Sequence, residues 1–583
     1  MEENHSYLSR PWLRHYPVGI PDTTGLLKVP IAQLFEERAK RHADRVAVNF
    51  YGTQLRYREL AEQVRRLSAA LAGLGVRKGD RVALYLLNTP QFIISYMAIL
   101  GLGAVVTPVS PVYTSLEVKH QLGNSGARVV ICQDILFDNV AGTGLALDAV
   151  IVTGISEYLP WVKKALGKSL LAKVVRDIEI PDVDLGDREG VHRFQDLLKK
   201  DLPSPPAVAI DAERDLAVLP YTGGTTGPPK GAMLTHANIL ATHYHTLAFW
   251  PVLEEGKEVV IGFLPFYHIY GQIVAMINSL FLGATLVLFT TIDLDDIIDA
   301  IDLHRASMLF GVPTFFEYLK EHPRTGRADW KRLKLLTSGA DTLHETTVRK
   351  WEERTGSHIL EGYGLTETAA VSHANPMGAS RVGSFGIPIP NVWAAVVDPD
   401  TQEPVPVGEV GELIVSGPNI MQGYWNAPEE TARTLVPIGD RTWLKTGDLV
   451  RINDDETFTF IGRKKELIRR RGENLSPLEV EMALEAHPAV AEAAVIGVPS
   501  ELSEDEVKAF VLLAQGAELS ITDLRDFVAQ RLAPFKVPRF FEVVKELPHT
   551  PTGRIAKHEL PRERTDDEED LDPQPKPRSE SSR

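Results

Sequence analysis

Two hydrophobic patterns alternate along the chain between residues 35 and 340. Short runs rich in β-branched residues are typical of buried strands, and longer segments with apolar residues at helical spacing separate them. The predicted strands lie at residues 46–49, 81–86, 129–132, 259–263, 285–289, 308–310 and 333–337. This alternation predicts an α/β fold in which helices cover parallel sheets.

The pattern changes after residue 384. From there to residue 451, short segments rich in valine and isoleucine are separated by glycine and proline. This predicts a distorted β-barrel or a small sheet that completes the large N-terminal domain. Beyond residue 463 the pattern indicates a compact α+β unit, with helices near 477–486 and 521–531 and strands near 493–498 and 508–513.

These changes predict two unequal domains and a tail. The larger N-terminal domain spans residues 1–462, and the smaller C-terminal domain spans residues 466–561. Residues 562–583 combine an acidic run with prolines and serines, a composition that cannot form a packed core. We therefore expect this acidic tail to be disordered and its removal to affect the fold little.

Composition and charge narrow the functional classes. The net charge of −16 argues against nucleic-acid binding, which requires a basic surface. The single cysteine, Cys132, excludes an intramolecular disulfide and any cysteine-rich zinc site, which fits a reducing compartment. Residues 1–16 are polar and charged, so no secretion signal is expected. A cytoplasmic protein is predicted; its oligomeric state stays open, with a homodimer as one alternative.

Two apolar regions bear on membranes. Residues 273–289 are interrupted by polar residues and glycine, and they fall short of the ~20 residues that span a bilayer, so they predict a buried helix followed by a buried strand. Residues 156–176 combine an apolar face that includes Trp161 with flanking lysines, which suits the surface of an anionic membrane. Peripheral contact with the inner face of a membrane is one hypothesis for 156–176, and a helix packed on its own domain is the alternative.

A glycine- and hydroxyl-rich loop is the strongest chemical signal. Glycines let the backbone approach an anion, threonines donate hydrogen bonds, and a lysine adds positive charge. The loop residues are Thr222, Gly223, Gly224, Thr225, Thr226, Gly227 and Lys230. Two prolines separate Gly227 from Lys230, which does not fit the P-loop pattern. Because apolar residues 216–219 precede the loop and Thr235 is a candidate helix N-cap, we predict a polyphosphate site rather than a surface turn.

Four further segments make the chain resemble a known family. They read Leu-Pro-Phe-Tyr-His-Ile-Tyr-Gly at 264–271, Glu-Gly-Tyr-Gly-Leu-Thr-Glu-Thr at 361–368, Trp-Leu-Lys-Thr-Gly-Asp-Leu at 443–449 and Gly-Arg-Lys-Lys-Glu-Leu-Ile from 462. With the loop, and in this order, they resemble the adenylate-forming superfamily of acyl-CoA synthetases, luciferases and peptide-synthetase adenylation domains. The long-chain fatty acid CoA ligases look most similar, over nearly the whole chain.

The resemblance implies a two-step reaction. An acid is joined to AMP from ATP with release of pyrophosphate, and the thiolate of coenzyme A then displaces AMP. Both steps build negative charge on oxygens, so oriented donors and a divalent ion are needed. Matching these motifs to the family assigns the β- and γ-phosphates to the loop from Thr222 to Lys230, and the α-phosphate to Thr366. Glu367 and Thr226 would bind Mg²⁺ through oxygen.

The resemblance also implies the nucleoside and acyl sites. Tyr363 would lie against adenine. Its neighbours Glu361, Gly362 and Gly364 would belong to the same cofactor site. The neighbouring wall would be formed by Ser338, Gly339 and Ala340. Asp448 would accept from the ribose hydroxyls, with Arg463 as its partner. His268 would lie beside the acyl carboxylate, although a structural histidine is the alternative, and candidate walls for an apolar acyl chain are Phe266, Tyr270, Ala340 and residues 311–316.

The C-terminal part implies a moving domain. The resemblance places the family's hinge at residues 463–465, which end at Lys465, so that a mobile domain presents one face for adenylation and another for thioester formation. Three arginines at 469–471, among them Arg471, would meet the phosphates of coenzyme A, and Gly472 would let pantetheine pass. A solvated basic loop is the alternative.

One position departs from the family. Members usually carry lysine after the glycine of the segment Pro-Thr-Gly-Arg-Ile-Ala-Lys at 551–557, where it bridges the acyl carboxylate and the α-phosphate, but this chain has Arg554. Arginine spreads its charge over a planar fork, so the exchange is not conservative. Lys557 would share a face with Arg554 if the segment were helical. Either residue acts as the catalytic cation, or adenylation is weak and the protein mainly binds acyl ligands.

The sequence thus indicates an ATP- and Mg²⁺-dependent acyl-CoA synthetase for a medium- to long-chain fatty acid. A CoA ligase for another acid, aromatic or carnitine-like, and a degenerate acyl or nucleotide binder are the alternatives. The motifs also leave a luciferase-like oxidase open. A peptide-synthetase module is disfavoured because the sequence shows no carrier domain with its attachment site.

Overall fold

The computed structural model describes residues 10–160, 188–205, 207–222, 229–470, 473–499, 505–550, 554–563 and 568–571. The chain divides into two compact units. The first comprises Met1–Ala394, Ile414–Lys445 and Asp455–Thr457, and the second comprises Ala395–Leu413, Thr446–Asp454 and Phe458–Arg583. Residues 395–413 and 446–454 thus cluster with the second unit. The predicted hinge at 463–465 and the mobility of the C-terminal domain stay predictions.

Two large sheets form the first unit. One has nine strands, in the order Ile387–Pro388, His373–Ala374, Leu360–Tyr363, Leu335–Ser338, Met308–Gly311, Val259–Gly262, Thr285–Leu288, Val46–Phe50 and Thr53–Arg56. The other has seven, in the order Leu234–Thr235, Leu216–Val218, Val105–Pro108, Arg81–Tyr85, Val129–Gln133, Ala149–Thr153 and Val191–Arg193. The central strands of both sheets pair in parallel, which confirms the predicted α/β class.

Helices connect these parallel strands. Those described in the first unit are Ile31–Arg41, Tyr57–Gly73, Pro90–Gly101, Ser115–Ser125, Phe137–Ala141, Phe194–Lys199, His236–Phe249, Asn278–Phe281, Leu294–Leu303, Pro313–Glu321, Glu345–Thr355 and Pro428–Thr434. Helix Pro90–Gly101 is buried on all sides except at Gly101, whereas Tyr57–Gly73 buries one stripe and exposes the other. An all-apolar helix is typical of a core position, and a striped helix of a surface position.

The apolar region 273–289 is buried as predicted. A π-helix, Gly271–Ile277, continues into helix Asn278–Phe281 and strand Thr285–Leu288, and most of their side chains are inaccessible to solvent. None of the helices that the structure describes is long and apolar enough to cross a bilayer. Most of the segment 156–176 lies outside the described residues, so its membrane contact stays a prediction.

The region predicted as a barrel or small sheet forms short antiparallel pairings. Its strands are Trp393–Val397, Val410–Ser416, Leu435–Ile438, Arg441–Ile452 and Phe458–Arg463. In the first unit, Leu435–Ile438 pairs with residues 441–444, and in the second, residues 448–452 pair with Phe458–Arg463. These pairings are those of a small sheet, the second of the two forms predicted.

The remainder of the second unit is the predicted α+β fold. A four-stranded sheet has the order Val490–Pro499, Asp505–Leu513, Phe540–Val544 and Glu568–Asp570. The other described elements are the short strands Ile468–Arg470 and Glu473–Leu475 and the helices Pro477–Glu485 and Ile521–Ala529. The sheet and the two helices share one apolar core, which includes Val480, Leu484, Val507 and Leu524.

The fourth strand of this sheet departs from the prediction of disorder at residues 568–570, which lie inside the predicted tail 562–583. Residues 568–570 pair antiparallel with Phe540–Val544. The fully buried Lys508 Nζ lies 2.8 Å from Glu568 Oε2, and Arg539 donates to both carboxylate oxygens of Asp570 at 2.9 and 3.0 Å. The acidic run suggested disorder because the cations that pair with it, Lys508 and Arg539, are far away in the sequence. Residues 564–567 and 572–583 lie outside the described part.

Four buried histidines make the first unit sensitive to acid. They are His236, His243, His245 and His373, and none exposes its side chain. Burial lowers the pKa of His236 and His243 to about 4, and that of His245 and His373 to about 3. All four are therefore uncharged at neutral pH.

Lowering the pH from 7 to 5 is expected to destabilise the first unit. Histidines in the unfolded chain take up protons near a pKa of about 6.5. Between pH 7 and pH 5 the unfolded state therefore binds more protons than the folded state, and the free energy of unfolding decreases as the pH is lowered. Glu361 opposes this effect by one proton. Burial raises its pKa to about 8, so in this pH range the folded state holds a proton on Glu361 that the unfolded chain has largely released. Four protons minus one leaves three, so the free energy of unfolding falls by up to about 4 kcal/mol per pH unit.

Urea unfolding followed by tryptophan fluorescence measures this effect, because the seven tryptophans that the structure describes all lie in the first unit. His245→Gln keeps an acceptor for the amide of Asn391, which lies 3.2 Å from His245 Nε2. This variant should reduce the pH dependence by about one proton. The exposed His358→Gln is the control and should leave it unchanged. An identical slope in both variants would contradict the role of burial.

Candidate active site

The carboxyl ends of three neighbouring strands bring the predicted adenine-site residues together. Gly311 pairs with Ser338, and Ser338 pairs with Glu361, across the nine-stranded sheet. Tyr363 ends the strand that carries Glu361. Ligands of open parallel sheets bind outside this edge, because loops and helix starts converge there. The edge at Ser338 is therefore the candidate nucleoside site.

Close packing shapes this edge. The ring of Tyr363 stacks on Phe385 with centroids 4.6 Å apart. A Cβ at Gly339 would lie 3.3 Å from the carbonyl oxygen of Gly362, and one at Gly364 would lie 1.8 Å from that of Ala370. Glycine at 364 is thus required by the close approach of two backbone segments.

The next residue after Gly339 is conformationally strained. Ala340 has a φ of 76°, in the left-handed region that side chains other than glycine rarely adopt. Beside it, the Ser338 hydroxyl is buried and has no hydrogen-bond partner among the residues that the structure describes. A buried hydroxyl without a partner costs about 1–3 kcal/mol, so a ligand atom is expected to complete this group.

Glu361 stabilises the backbone that follows the strand end at Ser338. Its carboxyl group is buried and accepts a hydrogen bond from the backbone N–H of Leu343 at 3.1 Å. Burial raises the pKa of Glu361 to about 8, so the group is largely protonated at neutral pH. Its observed role is to hold the backbone after Ala340; a direct cofactor contact stays a prediction.

His268 lies three residues before the π-helix Gly271–Ile277. Its backbone N–H donates to the carbonyl of Pro265 at 3.1 Å, and its ring centroid lies 4.6 Å from that of Tyr267. Asn88, which was not among the predicted site residues, fixes residues 264–266, just before His268. The side chain of Asn88 accepts from the N–H of Phe266 and donates to the carbonyl of Leu264, both at 2.8 Å. The only sequence signal was a polar residue two positions after the predicted strand 81–86.

The phosphate loop starts and ends on paired backbone. Thr222 and Lys230 are partners in a two-stranded antiparallel ribbon, and the Thr235 hydroxyl accepts from the N–H of Asn238 as the predicted N-cap. The residues between them, 223–228, lie outside the described part of the chain. The predicted roles of the loop residues, including Thr226 as a metal ligand, therefore stay predictions.

One tyrosine connects the predicted phosphate and metal residues. The Tyr424 hydroxyl donates to Glu367 Oε1 at 2.6 Å, and Lys230 Nζ lies 5.5 Å from the centroid of the Tyr424 ring. Lys230 also pairs with Glu430 at 2.7 Å. Thr366 begins the short turn that carries Glu367. Tyr424 was not among the residues predicted from the sequence, where its only signal was its place between glycine and tryptophan at 423–425.

Glu367 fits a site for Mg²⁺ that a substrate completes. In the described ranges, no group of three or more histidine, cysteine, aspartate or glutamate side chains could hold a metal ion alone. Mg²⁺ is commonly bound by one or two carboxylates together with substrate phosphates. A single carboxylate that shares Tyr424 with Lys230, a predicted phosphate ligand, fits that ligand set.

The second unit brings the predicted ribose residues together. Asp448 and Arg463 are partners on adjacent strands, and Arg463 Nε lies 3.5 Å from Asp448 Oδ1. The Asp448 side chain is buried, so this pair fixes its orientation. Lys465 lies in the turn Lys464–Glu466 that follows directly.

Arg470 corrects the prediction that three arginines meet coenzyme A. It is 3% exposed, pairs with Glu506 at 2.6 Å, and donates to the carbonyl oxygens of Phe535 and Val537. Alternation along the strand Ile468–Arg470 points Arg469 outward and Arg470 inward. Arg471 and Gly472 lie outside the described residues and stay predictions.

Arg554 and Lys557 have different surroundings. Lys557 Nζ lies 2.7 Å from Oε1 of Glu481, which is buried and also accepts from the N–H of Val495 at 2.6 Å. Arg554 precedes a β-bridge at Ile555, and its N–H donates to the Thr550 hydroxyl at 3.2 Å. The segment is not helical at this point, so the helical face that the two residues were to share is absent.

Comparison with known proteins adds independent information. Residues 35–425 match the family described as AMP-binding enzyme, and residues 479–554 match the AMP-binding enzyme C-terminal domain. A long-chain-fatty-acid–CoA ligase from Bacillus subtilis is 38% identical over 561 residues, which cover 96% of this chain and 98% of the relative. One from Escherichia coli O6:H1 is 34% identical over 570 residues, covering 95% and 98%. The crystal structure of ATP-bound MatB from Rhodopseudomonas palustris has a TM-score of 0.77 at 30% identity, covering 90% of this chain and 97% of that one.

Proposed function

Because the chain belongs to the AMP-binding enzyme family, we propose that it is an AMP-forming long-chain-fatty-acid–CoA ligase. Its cofactors are ATP and Mg²⁺, and its substrates are a fatty acid and coenzyme A. The observation that carries the proposal is the placement of Lys230 and Glu367 on one tyrosine, Tyr424. A cation and a hard oxygen ligand around one side chain are what a magnesium-bound triphosphate requires.

The chemistry is a double displacement. A carboxylate oxygen of the fatty acid forms a bond to the α-phosphorus of ATP, and the bond to pyrophosphate breaks. The thiolate of coenzyme A then attacks the acyl carbon, and the bond to the AMP oxygen breaks. When bound, Mg²⁺ neutralises phosphate charge.

The described residues serve binding and orientation in this reaction. Lys230 meets the outer phosphates and Glu367 provides the metal ligand; the preceding loop, whose residues 223–228 lie outside the described part, is assigned to the same phosphates by its motif. Ser338 and Tyr363 hold the adenine end, and the Asp448 carboxylate accepts from the ribose. Arg554 supplies the cation between the acyl carboxylate and the α-phosphate.

The acyl side of the proposal rests on apolar walls. Phe266 is buried and packs edge-on against Phe92 with ring centroids 5.6 Å apart. The hydroxyl groups of Tyr270 and Thr337 form a hydrogen bond of 3.0 Å. Such walls bind an apolar tail through the hydrophobic effect. A cytoplasmic location, inferred from the single cysteine, is retained as part of this proposal.

An acid panel tests the proposed function. Octanoate, laurate, palmitate, oleate, benzoate and carnitine are each incubated with ATP, Mg²⁺ and coenzyme A, and AMP and thioester are measured together. We expect equal amounts of both products, with kcat/KM at least about 100-fold higher for a long-chain acid than for benzoate, because each buried methylene contributes ~0.8 kcal/mol. Preference for benzoate or carnitine would favour the ligase for another acid. Retention of ATP without acyl-AMP from any acid would favour the degenerate binder.

A further inference from the structure

We propose that Tyr424 is a positioning residue for the metal site: its hydroxyl orients the Glu367 carboxylate, while its ring lies against Lys230. The inference rests on the proposed function and deepens it. The hydrogen bond from the Tyr424 hydroxyl to Glu367 Oε1 is 2.6 Å, and the Lys230 ammonium is 5.5 Å from the ring centroid. One side chain thus contacts both charges that a magnesium triphosphate needs.

The backbone fixes Tyr424 between the two motifs. Its N–H donates to the Thr431 hydroxyl at 2.9 Å, and it forms a β-bridge with Ala232, two residues after Lys230. The N–H of Met421 donates to the carbonyl of Glu367 at 2.9 Å. Residues 421–424 therefore hold the exit of the phosphate loop at one end and the Glu367 turn at the other.

The chemistry of the contact suits a fixed donor. A carboxylate can only accept and a tyrosine hydroxyl has an ordinary pKa of about 10, so the Tyr424 hydroxyl is the donor in this 2.6 Å contact with Glu367 Oε1. With Oε1 held in this way, the carboxylate loses rotational freedom and the other oxygen is oriented. Hydrogen bonds that orient a metal-binding carboxylate typically change metal affinity or activity about 10- to 100-fold.

Tyr424→Phe tests the hydroxyl and keeps the ring. Calorimetric binding of α,β-methylene-ATP to the full-length protein is measured with Mg²⁺ and with EDTA. We expect the variant to bind about 10-fold more weakly with Mg²⁺ and equally well with EDTA. In turnover, the Mg²⁺ concentration for half-maximal rate should rise by a similar factor, with the KM of the fatty acid unchanged. Tyr318→Phe, at an exposed tyrosine, is the matched control.

A double-mutant cycle shows whether Tyr424 acts through Glu367. In a Glu367→Gln background, Tyr424→Phe should have little further effect on Mg²⁺-dependent binding, because the carboxylate that it orients is already gone. Full additivity would overturn the inference, as would an equal loss of affinity with Mg²⁺ and EDTA or no loss at all. If the wild-type protein binds the analogue but forms no acyl-AMP, the proposed function fails while the inference about Tyr424 is still decided by these binding data.

Discussion

Replacing Arg554 by alanine is expected to slow formation of the acyl-adenylate by about 10²- to 10³-fold. In the proposed reaction, charge builds between the acyl carboxylate and the α-phosphate, and removal of one positioned donor to such charge has this magnitude. Arg554→Lys restores a cation of different shape and should recover a large part of the rate. Release of pyrophosphate in the absence of coenzyme A isolates this step from thioester formation.

Lys557→Met is the matched control for Arg554→Ala. Lys557 is engaged by the buried Glu481 at 2.7 Å, so its loss should leave the rate of adenylation near that of the wild type. It should instead destabilise the second unit by about 1–3 kcal/mol, because a buried carboxylate loses a partner. A large loss of rate in Lys557→Met alone, at an unchanged folded fraction, would assign the catalytic cation to Lys557. No loss in either variant would remove both residues from the mechanism.

Removing the carboxylate of Glu568 is expected to destabilise the second unit by about 2–3 kcal/mol. Lys508 is fully buried between Glu568 Oε2 at 2.8 Å and Glu542 Oε2 at 3.0 Å. Loss of one partner of a buried ion pair costs about 3–5 kcal/mol. The expected value for Glu568→Gln is lower because Glu542 remains.

Hydrogen exchange measures this effect, since the second unit has no tryptophan to report on it. Amides of the strand Asp505–Leu513 should exchange roughly 30- to 150-fold faster in Glu568→Gln than in the wild type, where exchange requires opening of the sheet. Glu569→Gln, whose side chain lies on the exposed side of the same strand, should leave the exchange unchanged. Equal exchange in both variants would show that the Glu568 carboxylate contributes nothing to the stability of this sheet.

Short-range pattern predicted the elements well because their signals are local. Apolar runs at 46–49, 259–263 and 308–310 became the strands Val46–Phe50, Val259–Gly262 and Met308–Gly311 of one sheet. Strand and helix periods of 2 and 3.6 residues are readable in any short window. The N-cap Thr235 was likewise predicted from neighbouring residues alone.

The pattern could not show which charged side chains would be buried. Composition marked the end of the chain as disordered, but Glu568 is inaccessible because it meets Lys508. The arginine cluster was assigned to coenzyme A as a group, but Arg470 turned inward to Glu506. Both outcomes depend on a partner that is far away in the sequence, so no local window contains the information.

The sequence by itself determined the α/β class, the order of the strands along the chain and the motifs that identify the family, because each is written in neighbouring residues. Only the tertiary structure decided which motif residues share a site. It joined Glu367 to Tyr424 across 57 positions and Lys230 to Glu430 across 200. Contacts at such separations are set by how the sheets and loops pack, and that packing is a property of the whole fold.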